Sequence, residues 1–266
     1  MREPASGKAG GRLRDKMAFV TGAGRGIGAA IAQAFVAEGA RVFIAELDQV
    51  TGSEQVALLR GSGGLADGCV CDVADSNSVA AAVATANRAL GPIDIVVNNA
   101  GVNVFRDPLA MSNADWRRCL AIDLEGALFT IQAALPSMLE RGAGSIVNIA
   151  SVHGFSIIPG CFPYPVAKHA LLGLTRSLGI EYAARGIRIN AIAPGYIDTQ
   201  ICRDYWATFA DPEAERLRAA NLHPPRRLGR PEEVAMTAVF LASDEAPFIN
   251  ASVITIDGGR SVLYHD

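Results

Sequence analysis

Short apolar runs alternate with longer stretches of helical period along the chain from residue 16 onward. The short runs are rich in Val, Ile and Ala, and they predict strands buried on both faces at 17–21, 41–46, 68–71, 93–98, 145–150, 188–193 and 252–256. The longer stretches predict helices over 27–38, 76–90, 116–140, 164–184 and 232–242. Because each crossover between parallel strands covers one face of the sheet, the alternation predicts an α/β fold with a doubly wound, seven-stranded parallel sheet.

The predicted elements follow one another without a repeat or a low-complexity linker, so residues 13–266 are predicted to form a single domain. A chain of 266 residues, half of them apolar, is close to the ~250–300 residues at which one core stops growing. The first residues are small, polar and rich in glycine, which predicts a disordered tail over 1–12. The stretch 196–230 is the least regular one, and a long connection of this kind is typical of a lid.

Composition excludes several classes of function. Charged residues make up 19% of the chain and the net charge is −3, which argues against a nucleic-acid-binding protein with its basic stripe. The chain has no polybasic segment, and its apolar runs are far shorter than the ~20 residues of a spanning helix, so no membrane association is expected. Five scattered cysteines predict free thiols in a reducing cytoplasm, and four widely spaced histidines predict no metal site. The expected partner is therefore a small molecule.

The turn after the first predicted strand reads TGAGRGIG and runs directly into a helical pattern. Glycines let the chain turn sharply and let a phosphate approach the main chain, and the start of a helix offers unpaired N–H groups to a pyrophosphate. A glycine-rich turn also arises for steric reasons alone, but here strand, glycines and helix come in the order that a dinucleotide site requires. This segment predicts a Rossmann-type cofactor site at Gly22, Arg25, Gly26, Ile27 and Gly28.

An acidic residue ends the second predicted strand and bears on the choice of dinucleotide. Glu46 lies eighteen residues past Gly28, where a carboxylate accepts hydrogen bonds from the adenosine ribose and repels a 2′-phosphate. The alternative interpretation of Glu46 is a solvated charge at a strand end. Arg25 favours a 2′-phosphate instead, but the repulsion from Glu46 is close and poorly screened. The sequence therefore predicts NAD in preference to NADP.

Polar motifs follow several further strands. Asp72 follows the third strand, NNAG occupies 98–101 after the fourth, and Ser151 ends the fifth, thirteen residues before the YPVAK that begins at Tyr164. Together with TGAGRGIG, these motifs resemble the fingerprint of the short-chain dehydrogenases/reductases, and the resemblance extends over nearly everything from residue 13 to residue 259. It is highly specific for the family and weakly specific for the substrate.

The resemblance implies where the cofactor lies. Asp72 is expected to bind the adenine amino group and the main chain of Val73 its ring, while the adenosine side is lined by Asn98, Ala100 and Gly101. After the sixth strand, the family's PG turn matches Pro194 and Gly195. The nicotinamide carboxamide is then expected to bind the main chain of Ile197 and the hydroxyl of Thr199.

Tyr164 and Lys168 are one helical turn apart, so their side chains share a face of the predicted helix and both are expected to contact the cofactor. A free tyrosine has a pKa of ~10 and is a poor base at neutral pH. A nearby ammonium, together with the positive nicotinamide ring, favours the phenolate and brings its pKa towards the working range. Ser151 is then placed to hold the substrate oxygen. Taken alone, YxxxK describes ordinary surface residues, but in combination with the other motifs it predicts a catalytic group.

The chain departs from the family at one catalytic position. The helix after the fourth strand usually carries an asparagine that holds a water on the path to the lysine, and the matching position here is Asp123. An aspartate can accept hydrogen bonds from that water and attract Lys168, although it also brings charge into a partly buried site. We expect Asp123 to take part in the proton relay; the alternative is a structural substitute whose helix is anchored differently.

The expected substrate contacts come from the turns around the catalytic residues and from the lid; the named candidates are Ser151, Tyr164, Asn103, His153, Gln200 and Arg203, with Cys161, Phe162 and Tyr196 beside them. His153 could equally be bonded to a backbone carbonyl, and the lid arginines could simply be solvated. The mixture of polar side chains favours a small hydroxylated substrate over a steroid or a long acyl chain.

Two stretches, IIPGCFPYPVAK and the carboxyl-terminal FINASVITIDGGRSVLYHD, resemble bacterial family members that oxidise sugars or sugar acids, including 2-keto-3-deoxy sugar acids. The alternatives are a 3-oxoacyl carrier-protein reductase and a simple alcohol dehydrogenase. An alternative of another class is a catalytically silent scaffold that binds NAD. The intact Ser151, Tyr164 and Lys168 argue against the scaffold, whereas Asp123 leaves it open.

The predicted helices over 116–140 and 164–184 carry more apolar surface than one side of a sheet can bury. A homotetramer with dihedral symmetry, common in the family, would cover the remainder. The carboxyl-terminal SVLYHD is then expected to reach across that interface.

Overall fold

The computed structural model of the protein describes residues 11–264. Within this range seven strands pair in parallel in the order β3-β2-β1-β4-β5-β6-β7; they are β1 Met17–Thr21, β2 Arg41–Glu46, β3 Ala66–Val70, β4 Ile95–Asn98, β5 Gly144–Ile149, β6 Ile187–Pro194 and β7 Val253–Ile256. Each predicted strand lies within two residues of an observed one. The predicted Rossmann-type, doubly wound parallel sheet is confirmed.

Helices cover both faces of this sheet. In chain order, the described residues form α1 Gly26–Ala37, α2 Gln49–Gly61, α3 Ser76–Leu90, α4 Asn113–Leu120, α5 Gly126–Arg141, α6 Tyr164–Tyr182, α7 Gln200–Trp206, α8 Pro212–Asn221 and α9 Pro231–Ala242. Residues of α1, α2 and α9 form the core on one face, and residues of α3, α5 and α6 form the core on the other.

Strand β1 shows why the strands are continuously apolar. All five of its residues are buried, because Ala18 and Val20 face one core while Met17 and Phe19 face the other. The ring of Phe19 stacks on Phe43 of β2 with 5.8 Å between centroids. Two covered faces leave no position for an outward polar residue, which distinguishes this sheet from one with a solvated side.

Helix α2 is an element that the apolar periodicity does not predict. Its buried residues are Gln55 and Leu59, so its sequence lacks a continuous apolar stripe. Its first turn is fixed instead by Asp48, whose side chain accepts a hydrogen bond from the N–H of Thr51 at 2.9 Å.

The helix predicted over 116–140 is one continuous helical stretch, but it is interrupted by a π-helical turn at Ala121–Glu125 between α4 and α5. Among the described residues, this stretch, Asn113–Arg141, also has the length and apolar composition of a membrane-spanning helix. Ile131, Ala134, Leu135 and Met138 of α5 pack into the core against the sheet. The stretch is therefore a core element of the domain.

The segment 196–230, the least regular stretch of the sequence and the predicted lid, contains two helices, α7 and α8. Asp211 accepts a hydrogen bond from the N–H of Ala214 at 2.9 Å and starts α8, with Pro212 in the first turn. Ion pairs one turn apart, including Glu215 with Arg218, then stabilise this polar helix. Trp206 of α7 is buried against α8. A helix that is stabilised by capping and ion pairs is not predicted by the spacing of apolar residues.

Most of the tail predicted over 1–12 lies outside the described residues, but its end does not. The backbone N–H of Arg12 donates to the Glu38 carboxylate at 2.7 Å, and its guanidinium pairs with Glu245 at 2.5 Å. The prediction of disorder is wrong for Arg12, because two carboxylates distant in the sequence hold it.

The strand order reverses between β1 and β4, which are neighbours in the sheet although β2 and β3 lie between them in the chain. Helices leave the carboxyl ends of these two strands in opposite directions, and a crevice opens between them. The motifs that follow the strands all lie at this edge of the sheet.

Candidate active site

The glycine turn after β1 and the NNAG segment after β4 approach each other across this crevice. A Cβ atom on Gly22 would lie 2.7 Å from the Cα of Ala100, and one on Gly28 would lie 2.3 Å from the carbonyl oxygen of Gly22. Gly22 and Gly26 also have φ angles of +62° and +60°, which favour glycine. The main chain therefore reaches the crevice uncovered by side chains.

Helix α1 begins at this turn, and the side chain of its N-cap residue, Arg25, makes no capping hydrogen bond. The first N–H groups of the helix remain without intrahelical partners, and they carry the positive end of the helix dipole. A bare main chain and an uncapped helix start form a cradle that fits a pyrophosphate. The residues present therefore fit a dinucleotide cofactor.

A side chain that the sequence analysis missed fixes the two segments together. The Nδ2 of Asn99 donates to the carbonyl oxygens of Gly22 at 2.8 Å and of Thr21 at 3.1 Å. The backbone N–H groups of Asn99 and Ala100 donate in return to the Thr21 hydroxyl. The NNAG motif signalled this position, but the residue implied by the family resemblance was its neighbour, Asn98.

The Asn98 side chain is buried away from the crevice. Its Nδ2 donates to the Oδ1 of Asn148 on β5 at 2.8 Å, and Asn148 donates in turn to Thr175 of α6 at 2.9 Å. Asn98 thus links β4, β5 and α6 through buried polar groups. Asn98 was expected to line the adenosine side of the cofactor; at the end of β4 its side chain points instead to the neighbouring strand.

The crevice continues into a cleft with a cavity volume of about 270 Å³. Most of the predicted cofactor residues lie in its wall, namely Gly22, Arg25, Gly26, Ile27, Glu46, Gly101, Tyr164, Lys168, Pro194, Gly195, Ile197 and Thr199. The wall does not include the other predicted cofactor residues, Gly28, Asp72, Val73, Asn98 and Ala100. The side chain of Asp72 is exposed and accepts a hydrogen bond from the N–H of Ala74 at 2.9 Å.

Glu46 is held in place by the main chain around it. One carboxylate oxygen accepts a hydrogen bond from the N–H of Gly24 at 2.9 Å, and the other accepts from Leu47 at 2.9 Å and from Asp48 at 3.2 Å. Glu46 therefore joins the end of β2 to the glycine turn, a role that its position in the sequence did not reveal. It also fixes a negative charge in the cleft wall.

The predicted catalytic residues come together at the far end of the cleft. Tyr164 begins α6, and the Nζ of Lys168, one turn later, lies 5.3 Å from the centre of the Tyr164 ring. Ser151 follows β5 and lies within hydrogen-bonding reach of the phenol. Its Oγ accepts a hydrogen bond from the N–H of His153 at 3.1 Å. All of these side chains line the same cleft.

Asp123 lies beneath this group on the π-helical turn and forms an ion pair with Lys168 at 3.2 Å. Their side chains are 0% and 4% exposed. The same Asp123 oxygen accepts a hydrogen bond from the N–H of Val102 at 3.2 Å, and the Lys168 ammonium also donates to the Ile149 carbonyl at 3.4 Å. Both charges are thus partnered, as buried charges must be.

The electrostatics of this triad differ from the simplest expectation. Burial raises the pKa of Tyr164; Lys168 opposes that rise, and Asp123 adds to it. Burial alone would lower the pKa of Lys168, but Tyr164 and Asp123 outweigh it and raise the pKa. Lys168 therefore stays a cation. Lys168 lowers the pKa of Tyr164, as predicted, but without a further positive charge this effect is smaller than the rise caused by burial. Asp123 reduces the net effect further, because its negative charge raises the same pKa.

The predicted substrate residues divide into two groups. Ser151, His153, Tyr164, Asn103 and Gln200 line the cleft, as do Cys161 and Tyr196. The wall does not include Arg203; its guanidinium pairs with Asp198 at 2.5 Å on the exposed side of α7. The structure places Arg203 apart from the other predicted substrate residues, because Asp198, five residues before it, holds its guanidinium at the surface.

His153 is buried, and its Nδ1 has no hydrogen-bond partner in the part of the chain that the structure describes, so the alternative of a histidine bonded to a backbone carbonyl through that nitrogen is not observed there. Its ring lies edge-on to Tyr164 with 5.8 Å between centroids. Burial lowers the pKa of His153 to about 4, and the charges of Arg260 and His169 contribute to the shift. The imidazole is therefore neutral at physiological pH.

The cleft also has an aromatic wall that the sequence analysis missed. Phe105 packs edge-on against Tyr164 at 5.9 Å and against Tyr205 of α7 at 5.4 Å between ring centroids. Phe105 and Tyr205 are about one hundred positions apart in the sequence, so no local pattern signals that they meet. The cleft wall therefore has an apolar part in addition to the polar residues Asn103 and Gln200.

Known proteins are similar in sequence to this chain along most of its length. The family model described as enoyl-(acyl carrier protein) reductase matches residues 22–261. A 2-(S)-hydroxypropyl-CoM dehydrogenase 3 of Xanthobacter autotrophicus is 36% identical over 253 residues, which cover 95% of this chain and 99% of that protein. A D-threitol dehydrogenase of Mycolicibacterium smegmatis is 39% identical over 251 residues, which cover 94% of this chain and 95% of that protein.

Solved structures give the same result. Levodione reductase matches with a TM-score of 0.92 at 33% identity, covering 95% of this chain and 100% of its own. A variant of actinorhodin polyketide ketoreductase with NADPH matches with a TM-score of 0.90 at 32% identity, covering 96% and 100%. Fold, site and similarities define an oxidoreductase of CH–OH groups that uses a nicotinamide cofactor. The chain belongs to the short-chain dehydrogenase/reductase family, as its motifs predicted.

Replacement of Tyr164 by phenylalanine keeps the ring that packs on Phe105 and removes only the phenolic oxygen. We expect kcat to fall roughly 10²–10⁴-fold, the usual contribution of a general acid–base, with nucleotide binding retained in a fluorescence titration. The matched control is Tyr182→Phe at the other end of α6, which should keep full activity. Undiminished turnover in Tyr164→Phe would exclude the phenol as the proton-transferring group.

Replacement of Asp123 by asparagine tests the buried ion pair through pH. Alcohol oxidation requires the Tyr164 phenolate, so its rate rises as pH passes through the pKa of Tyr164. Because Asp123 raises that pKa, its neutralisation should move the rising limb of the kcat profile to lower pH. Glu125→Gln, on an exposed position of the same π-helical turn, should leave the limb in place. A limb that stays in place in Asp123→Asn would contradict a role for Asp123 in the relay.

Proposed function

We propose that the protein is an NAD-dependent dehydrogenase that moves a hydride between NAD and the secondary alcohol or ketone of a sugar or sugar acid, 2-keto-3-deoxy sugar acids included. The observation that carries this proposal is a single cleft that holds Ser151, Tyr164 and Lys168 and also opens on the uncapped start of α1. Such a cleft can orient a carbinol and a dinucleotide together.

In alcohol oxidation, the oxidised nicotinamide, when bound, supplies the acceptor for the hydride that leaves the carbinol carbon. Ser151 donates a hydrogen bond that positions the substrate oxygen, and the Tyr164 phenolate takes the proton from the same oxygen. The positive charge of Lys168 stabilises the phenolate, and Asp123, 3.2 Å away, balances that positive charge. Ketone reduction is the reverse, with Tyr164 as the acid.

The polar side of the cleft supports a hydroxylated substrate. Asn103, Gln200 and the neutral His153 offer amide and imidazole groups that can donate to or accept from several hydroxyls. The similarity to a D-threitol dehydrogenase also favours a polyhydroxy compound. The aromatic wall of Phe105 and Tyr205 favours instead a substrate with one apolar face, which suits a 3-oxoacyl reductase as the second candidate.

The fixed charge of Glu46 supports NAD. Its carboxylate lies in the cleft wall, where it can accept from ribose hydroxyls and repel a 2′-phosphate. Arg25 in the same wall and the structural similarity to an NADPH-bound ketoreductase weigh towards NADP. We give Glu46 more weight because two negative groups at such short range are poorly screened.

We further propose a homotetramer in the cytoplasm. The five cysteines are unpaired thiols, as suits a reducing compartment. On α6, Val166 and Ile180 are exposed, and near the carboxyl terminus Phe248, Val262 and Tyr264 are largely exposed. Apolar side chains at these places suit contacts with further copies of the chain.

The dinucleotide choice is tested by replacing Glu46 with glutamine, which keeps an acceptor for the Gly24 N–H while removing the charge. We expect the NAD-over-NADP ratio of kcat/KM to fall on the order of 10–100-fold, mainly through a lower KM for NADP. Glu54→Gln, an exposed change on α2, should leave the ratio unchanged. The same NAD-over-NADP ratio in the wild type and in Glu46→Gln would show that this carboxylate does not select the dinucleotide.

The substrate class is tested by following NADH absorbance with four- to six-carbon alditols, aldonates and 2-keto-3-deoxy acids. We expect turnover with NAD on members of this panel and little on 3-oxoacyl thioesters. Faster reduction of the thioesters with NADPH would favour the acyl reductase. Nucleotide binding with no turnover of any compound would favour a silent scaffold.

A further inference from the structure

A second cavity, of about 240 Å³, adjoins the catalytic cleft. The two share a wall formed by Ser151, His153, Gly195 and Tyr196. A substrate whose carbinol lies at Ser151 can therefore extend past His153 into this second cavity. On the side away from the shared wall, this second cavity is lined by charged residues, Asp257 and Arg260, that belong neither to the catalytic group nor to the dinucleotide cradle.

That side of the cavity carries a cation, Arg260, that forms no ion pair with any carboxylate in residues 11–264. Arg260 lines the cavity, and its Nη1 is buried with no hydrogen-bond acceptor among residues 11–264. The guanidinium lies over the ring of Tyr196, 5.0 Å from the centroid. Stacking on an aromatic face orients an arginine but leaves its N–H groups free. A buried N–H donor without an acceptor is unfavourable unless a ligand supplies the missing hydrogen bond.

The nearest carboxylate does not serve that purpose. Asp257 also lines the cavity, but its oxygens accept hydrogen bonds from the N–H groups of Gly259 at 2.9 Å and Ser261 at 2.7 Å. These bonds close the turn that presents Arg260. Asp257 therefore holds the turn that carries Arg260, and the negative charge of Asp257 is stabilised by main-chain N–H groups.

The field of Arg260 reaches the catalytic end. After burial, the charge of Arg260 is the largest cause of the lowered pKa of His153. His153 lies between the two cavities and its ring contacts Tyr164. A cation close enough to oppose protonation of this imidazole is close enough to act on a substrate held at Ser151.

We propose that Arg260 is a specificity-determining residue that binds the carboxylate of a hydroxy-acid substrate while its carbinol lies at Ser151 and Tyr164. The inference rests on the proposed function and narrows it to anionic substrates. A planar carboxylate matches the paired N–H groups of a guanidinium, and Ile157 and Ile158 add an apolar part to the cavity wall. The neutral His153 can donate or accept at a hydroxyl between the two ends.

The test compares substrates that differ only in charge. D-threonate and D-gluconate are paired with the alditols of the same configuration, D-threitol and D-glucitol, in which a hydroxymethyl group replaces the carboxylate. We expect the wild type to prefer the acids. Arg260→Gln should raise KM for the acids roughly 10–100-fold with kcat little changed, and should leave the alditols unaffected. Arg260→Lys, which keeps the charge without the fork, should be intermediate.

Calorimetric titration of the same acids separates anion recognition from catalysis, because it needs no turnover. Weaker binding of D-gluconate or D-threonate to Arg260→Gln than to the wild type supports the inference even if NADH never forms, in which case only the proposed function fails. Equal binding in both proteins, or equal KM changes for acids and alditols, overturns it. Arg185→Gln, at an exposed position near the opposite edge of the sheet, is the control, and melting curves verify that each variant folds.

Discussion

The buried ion pair between Lys168 and Asp123 is the interaction on which the catalytic arrangement depends. Removing two charges from water is costly, and the cost is offset only where every remaining donor and acceptor is satisfied. Here Asp123, on the π-helical turn, also accepts from the Val102 N–H, and Lys168 also donates to the Ile149 carbonyl, so each charge has a second partner. The segment after β4, the end of β5, the α4–α5 junction and α6 are consequently locked in one geometry, with Tyr164 above them.

The sequence predicted features that are determined within a few residues of the chain. The glycine turn follows from backbone sterics at Gly22 and Gly28, and the pairing of Tyr164 with Lys168 follows from the period of a helix. The prediction of a seven-stranded parallel sheet required only that each apolar run be buried on both faces. These inferences succeeded because the information that they need is local or averages over whole elements.

Predictions failed where distant parts of the chain decide what a side chain contacts. Asn98 and Asn99 are adjacent and chemically identical, yet the neighbouring strand takes one and the glycine turn takes the other. Arg203 is an exception, because its partner Asp198 is only five residues away. Arg260 follows the pattern, because only packing brings its carboxyl-terminal turn to the cavity beside Ser151. Charge and residue type suggest candidates, but only tertiary packing decides which cation is left without a partner.

The hold of Glu46 on the Gly24 N–H has a consequence for how a nucleotide arrives. The acidic side chain and the glycine turn satisfy each other in the free protein, so the shape of the turn does not depend on a bound nucleotide. The gain is rigidity: the turn keeps its shape between turnovers, and product nucleotide leaves behind a cradle ready for the next molecule.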